Sequence, residues 1–174
     1  RRQAIVVDST RAFFFPPALC VHMAWETHTQ TTIEADPATV WRVLTDFSSY
    51  QEWNPTLVRA RGTAEIGERL WLHLSLPTGF RVPFRPRVTV IEPERELRWQ
   101  GSVNGVLTTE HAVSIVPATG AENEDNVRLV QRERLEGPLA VPMMGVMGAA
   151  IREGIEAMSE ALAQRAETRY ESDD

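Results

Sequence analysis

The stretch Ile33–Pro55, IEADPATVWRVLTDFSSYQEWNP, joins a strand end, a short capped helix and an aromatic-proline turn in one order. Asp36 ahead of Pro37 marks a helix start, since an aspartate side chain accepts a bond from an orphan backbone N–H and proline is tolerated in the first helical turn. Val40, Trp41, Val43, Leu44 and Phe47 follow at helical spacing and form an apolar stripe. A second helical turn begins at Ser48 and ends at Trp53-Asn54-Pro55, because the residue before a proline is pushed out of the helical region.

On the N-terminal side, Thr27, Thr29, Thr31 and Ile33 alternate with Glu26, His28, Gln30 and Thr32, which predicts a first strand over Trp25–Ala35. On the other side, six more strands are expected at Thr56–Arg61, Arg69–Leu76, Phe84–Glu92, Arg95–Val103, Val106–Val116 and Asn126–Gly137. Turn signals separate them: Gly62 and Gly67, Pro77-Thr78-Gly79, Pro93, Asn104-Gly105 and Gly120. Asn-Gly takes the positive φ angles of a two-residue hairpin turn, so these short links imply antiparallel neighbours. From Pro142 to Glu167 the period becomes helical, with Met144, Met147, Ile151, Ile155, Met158 and Leu162 on one stripe and Glu153, Glu156, Glu160 and Gln164 facing away. The fold class is therefore α+β.

A chain of 174 residues suits one domain that buries about two thirds of its unfolded surface. The expected division is an N-terminal extension over 1–22, a domain over 23–168 and an acidic tail over 169–174. The formal charge is −6, and all 18 basic residues are arginine. Without lysine there is no Walker-type phosphate loop and no Schiff-base chemistry. The acidic balance argues against broad nucleic-acid binding, which needs a positive field. Cys20 is the single cysteine, so neither an internal disulfide nor a cysteine-rich metal site can form. A reducing cytoplasm is the expected compartment. Arg1-Arg2 and Phe13-Phe14-Phe15 have the look of a signal peptide, but Asp8 and Pro16-Pro17 spoil the pattern. The apolar runs Ala12–Val21 and Pro138–Ile151 fall short of the ~20 residues of a membrane span.

The markers Asp36-Pro37-x-x-Val40-Trp41, Trp53-Asn54-Pro55, Leu97-x-Trp99 and Glu133 followed by Gly137 resemble those of the START-like, or SRPBCC, superfamily. Over Trp25–Glu167 the chain looks like its polyketide cyclase/dehydrase and lipid-transport branch. The resemblance implies a helix-grip fold like that of the birch pollen allergen: a curved seven-stranded antiparallel sheet around a long C-terminal helix, with two short helices after the first strand. It also implies a ligand cavity between sheet and helix.

Strand parity points to the chemistry. His111 shares its side of the pleat with Leu107, Val113 and Ile115, and Glu133 shares its side with Leu129, Gln131 and Leu135, while Arg128, Arg132 and Arg134 face the other way. His111 and Glu133 therefore point inward from strands that pair. A buried imidazole beside a carboxylate is an acid/base pair, or two core polar groups that offset each other's burial. Trp99, with Leu97 on its face, offers a surface for a flat ligand or ordinary core packing. Met143, Met144, Met147 and Ile151 would line a deformable wall, and Phe80 at the Pro77-Thr78-Gly79 hairpin tip would close over it. Arg81, Arg85 and Arg87 meet an acidic ligand group or form a solvated face.

Two functions follow. One is a binding module for a hydrophobic small molecule such as a lipid, polyketide or isoprenoid-like metabolite. The other is an aromatase/cyclase-type enzyme in which His111 and Glu133 move protons during aldol cyclisation or dehydration. A protein-partner role, as in other relatives of the superfamily, is a third class. No cofactor and no metal is expected, as His22, His28, His73 and His111 lack ligand spacing. The oligomeric state is expected to be a monomer or homodimer.

Overall fold

In a computed structural model of the chain, residues 7–8, 24–75, 79–103, 105–118 and 126–173 are described. Asp36 caps α1 (Pro37–Thr45): its Oδ1 accepts the Thr39 backbone N–H at 2.9 Å and its Oδ2 the Thr39 hydroxyl at 2.7 Å. Burial disfavours the ionised carboxyl, but these bonds outweigh burial and hold Asp36 below the usual carboxylate range. A 3-10 turn, Phe47–Ser49, leads into α2 (Tyr50–Trp53). The rings of Phe47, Tyr50 and Trp53 meet edge to face at centroid distances of 5.5 and 4.7 Å. Asn54 Oδ1 then accepts from the backbone N–H groups of Thr56 and Leu57, which turns the chain into the next strand. Trp41 and Trp53 pack against the main core and seat the short helices.

The strands are β1 (Val7–Asp8), β2 (Ala24–Ile33), β3 (Leu57–Arg61), β4 (Trp71–Ser75), β5 (Arg81–Phe84), β6 (Arg87–Glu92), β7 (Glu96–Val103), β8 (Leu107–Pro117) and β9 (Val127–Glu136). They form a six-stranded antiparallel sheet in the order β1-β2-β9-β8-β7-β6 and a three-stranded sheet in the order β3-β4-β5. From Ala24 onward there are eight strands where the sequence suggests seven, because one ladder is cut at Arg85-Pro86. Leu72 pairs with Phe84, and Arg69 bridges Arg87 in the same register. Pro86 has no N–H to give a ladder, although its carbonyl accepts from Leu70 N at 2.9 Å. β5 and β6 are thus one interrupted strand that pairs with β4 on one half and with β7 on the other.

Val7–Asp8 adds to the edge of β2, inside the expected extension. Pro77 and Thr78 of one expected turn, Asn104 of another and Gly120 lie outside the described residues. Gly105 has φ +70°, and Val106 N–H donates to the Val103 carbonyl at 3.0 Å to close the β7–β8 hairpin.

The last helix, α3 (Ala140–Asp173), overruns both expected ends and takes in most of the predicted tail. Tertiary contacts hold that extension. Glu167 Oε1 accepts the Glu34 backbone N–H at 3.0 Å, Arg169 lies 3.7 Å from Asp46, and Tyr170 packs against the core. No helix among the described residues is long and apolar enough to cross a membrane.

The apolar interior divides in two. The larger cluster includes Ile33, Val40, Leu44, Leu97, Trp99, Val113, Leu129, Met158 and Leu162. The smaller joins Leu107, Leu135, Ala140 and Met144, with Trp25, Met143, Met147 and Ile151 packed against it.

Candidate functional site

A polar rung crosses the inner face between these clusters. Trp99 pairs with His111, His111 with Glu133, and Glu133 with Thr27, so β7, β8, β9 and β2 each place one side chain in a single line. His111 Nδ1 and Glu133 Oε2 are 2.8 Å apart. When Glu133 is ionised its carboxylate only accepts, which places the ring proton on Nδ1 and leaves Nε2 its lone pair. The Trp99 ring stacks on the imidazole at 4.7 Å between centroids, so one face of the indole is occupied from within the protein. His111 is 7% exposed. Glu133 keeps 16% of its side-chain surface exposed although its rung faces inward.

Burial raises the Glu133 carboxyl above its ordinary range; the bond from His111 and its charge act against this, and the charge of Glu110 adds to it. The pair joins a carboxyl that resists ionisation to an imidazole it orients. His111 Nε2 and Thr27 Oγ1 are buried with no hydrogen-bond partner among the described residues. In a protein interior such atoms are exceptions that call for an account.

The next rung is built differently. Leu97, Val113, Gln131 and Thr29 align across the same four strands. Here α3 supplies a partner: Gln131 Nε2 donates to Ser159 Oγ at 2.8 Å, Thr29 Oγ1 lies 3.2 Å from that oxygen, and Ser159 donates to the Ile155 carbonyl at 2.9 Å. Only Gln131 Oε1 is left over on this rung.

Of the residues singled out from sequence, His111, Glu133 and Trp99 meet in one rung. Gln131 and Leu97 lie one rung away, wholly buried. Met143, Met144, Met147 and Ile151 share the smaller cluster, on the other side of the polar rung from Leu97. Phe80 is 73% exposed and belongs to neither cluster. Thr27, Thr29 and Ser159 were not foreseen as site residues. The available signal was parity: both threonines share a face with Ile33, and Ser159 follows Met158 on the inner stripe of the helix. Among the described residues no cluster of histidine, cysteine or acidic side chains is placed to hold a metal ion.

The family model for polyketide cyclase/dehydrase and lipid transport matches residues 24–167. No curated protein sequence matches the chain. Among solved structures, the Zhui aromatase/cyclase from Streptomyces sp. R1128 is similar with a TM-score of 0.69 at 15% identity, over 84% of this chain and 96% of that one. A START superfamily protein from Mycobacterium smegmatis gives a TM-score of 0.60 at 20% identity, over 88% and 99%. Norcoclaurine synthase from Thalictrum flavum, in complex with dopamine and hydroxybenzaldehyde, gives 0.61 at 12% identity, over 89% and 95%. At these identities the likeness is one of fold.

Proposed function

The chain belongs to the polyketide cyclase/dehydrase and lipid transport family of the START-like superfamily, and we propose that it binds an apolar small molecule bearing a carbonyl or hydroxyl group on the inner face of the grip. One observation carries this reading: a rung with two buried polar atoms that have no partner among the described residues lies between two apolar clusters. Apolar burial at ~25 cal/mol per Å² supplies affinity, while Thr27 Oγ1 donates to a ligand carbonyl or hydroxyl oxygen and the His111 Nε2 lone pair accepts from a ligand hydroxyl. The methionines of the smaller cluster adapt the wall to the ligand's shape. A lipid, a polyketide and an isoprenoid-like metabolite share this chemistry. Native mass spectrometry of the purified protein, with displacement of anilinonaphthalene sulfonate by fatty acids and polycyclic phenols, tests it. Bound ligand or displacement, weakened in His111→Ala, is the expected result; an empty protein that binds neither probe ends the proposal.

The His111–Glu133 bond favours a second reading, in which the bound ligand is a poly-β-ketone and the rung is catalytic. His111 Nε2 takes an α-proton, the enolate carbon bonds to a second carbonyl carbon, and the proton returns to the new alkoxide. Loss of that hydroxyl with a neighbouring proton as water then gives the dehydrated ring. Glu133 supports the imidazolium between these transfers, and the fold supplies proximity.

A further inference from the structure

The outer faces of the two sheets carry charge differently. On the six-stranded sheet, Glu110 lies 2.7 Å from Arg132 and 3.8 Å from Arg98, and Glu26 lies 3.8 Å from Arg134. On the three-stranded sheet, Leu72 and Leu74 face the core, so Trp71 and His73 face out, with Arg61 and Arg59 directly opposite them. The Arg85 guanidinium sits 3.6 Å from the centroid of the Trp71 ring. Arg81 pairs with Ser75, and Arg69 bridges Arg87, which brings three more arginines to the same face. All six are exposed, and none is ion-paired among the described residues.

Among the described residues this cationic surface has no ion-pair partner, on a chain whose formal charge is −6. Like charges directly opposite one another weaken strand pairing, so the charges of Arg69 and Arg87 oppose the backbone bridge between them, and Arg87 Nη1 donates only to the neutral Gly67 carbonyl, at 2.6 Å. Arg59, Arg61, Trp71 and His73 line a depression of about 300 Å³, the lower end of the range for small-molecule sites. Guanidinium forks match phosphate oxygens two at a time. Arg59 and Arg61 in the lining, with Arg85 stacked on the Trp71 wall, favour a doubly charged anion over a single carboxylate, since attraction scales with the product of charges. Trp71, 48% exposed, adds an apolar wall for the skeleton that carries the anion.

We propose that this depression binds the phosphate group of a phosphorylated ligand, at a site separate from the inner face. Being on the surface, it weakens as ionic strength rises. Phenyl phosphate titrated into the isotope-labelled full chain should shift the Trp71 indole resonance, assigned with Trp71→Phe, saturably at millimolar concentrations or below; phenol should not. The exposed double substitution Arg59→Gln, Arg61→Gln should leave the melting temperature unchanged and weaken binding by roughly tenfold or more, as expected for lost bonds to a charged group. Co-sedimentation with phosphatidylcholine vesicles, with and without phosphatidic acid, separates the sources. Retention on phosphatidic acid that the double substitution abolishes assigns a lipid headgroup; phenyl phosphate binding without retention assigns a soluble phosphoester. Absence of both, an equal shift with phenol, or undiminished binding by the double variant overturns the proposal.

Discussion

Two neighbouring rungs of one sheet present similar residues to the same interior and are completed in opposite ways. In the rung of Thr29 and Gln131, the helix delivers Ser159 to meet both. In the rung of Thr27, Glu133 and His111, the imidazole meets the carboxylate, and among the described residues Thr27 Oγ1 and His111 Nε2 have no partner. Polarity on an inner face is therefore not the mark of a binding site. The mark is polarity that the opposing element leaves unanswered, since an unmade bond in a low-dielectric interior is expensive unless something outside the chain completes it.

If the open rung performs acid–base chemistry, His111→Ala lowers kcat for a β-diketone substrate by about a hundred- to ten-thousand-fold, a loss separate from the weakened binding, measured by steady-state kinetics at saturating substrate. Unchanged turnover would remove the imidazole from the mechanism. Ser159→Ala strands Gln131 Nε2 and the Thr29 hydroxyl in the closed rung and should cost about 1–3 kcal/mol in urea unfolding. By contrast, Thr27→Val deletes a hydroxyl with no partner and keeps the shape, so stability should hold or rise by up to ~1 kcal/mol while ligand affinity falls. A loss in Thr27→Val equal to that in Ser159→Ala would erase the distinction between the rungs.

The smallest effect is in pH dependence. Burial raises the folded-state pKa of Glu133 above its unfolded value, so between the two values the folded state holds more protons and stability falls as pH rises. Glu133→Gln removes that slope. The melting temperature of the unmodified protein relative to the variant should decline as pH climbs out of the ordinary carboxylate range, and a flat difference would contradict the assignment.

Much of this was legible in the chain. Asp36-Pro37 started a helix where it should because capping needs only four consecutive residues. His111 and Glu133 could be placed on one inner face because a strand alternates with period two and a pairing error by one residue would bury Arg132 and Arg134. Other features were not legible, for reasons that are equally physical. In β2 alternation put Thr27 and Thr29 on the face of Ile33, but with both faces polar it did not mark either threonine as part of a site. The sequence reads Phe84–Glu92 as one strand straight through Pro86; in the fold Pro86 separates β5 from β6, and the ladder continues past it through the pairing of Arg87 with Arg69, distant in sequence. Arg59 and Arg61 joined Arg85 only through the pairing of β3 with β4 and the approach of Arg85 to Trp71.

Local pattern thus specified the elements, their order and the face on which each polar residue sits, because periodicity and capping act over a few residues. Which polar atoms are satisfied depended on packing between distant segments. Ser159 meets Gln131 from 28 positions away and Thr29 from 130, and among the described residues no comparable partner reaches His111 Nε2. Helix–sheet docking chooses between a closed rung and an open one, and that choice separates a structural polar network from a candidate site.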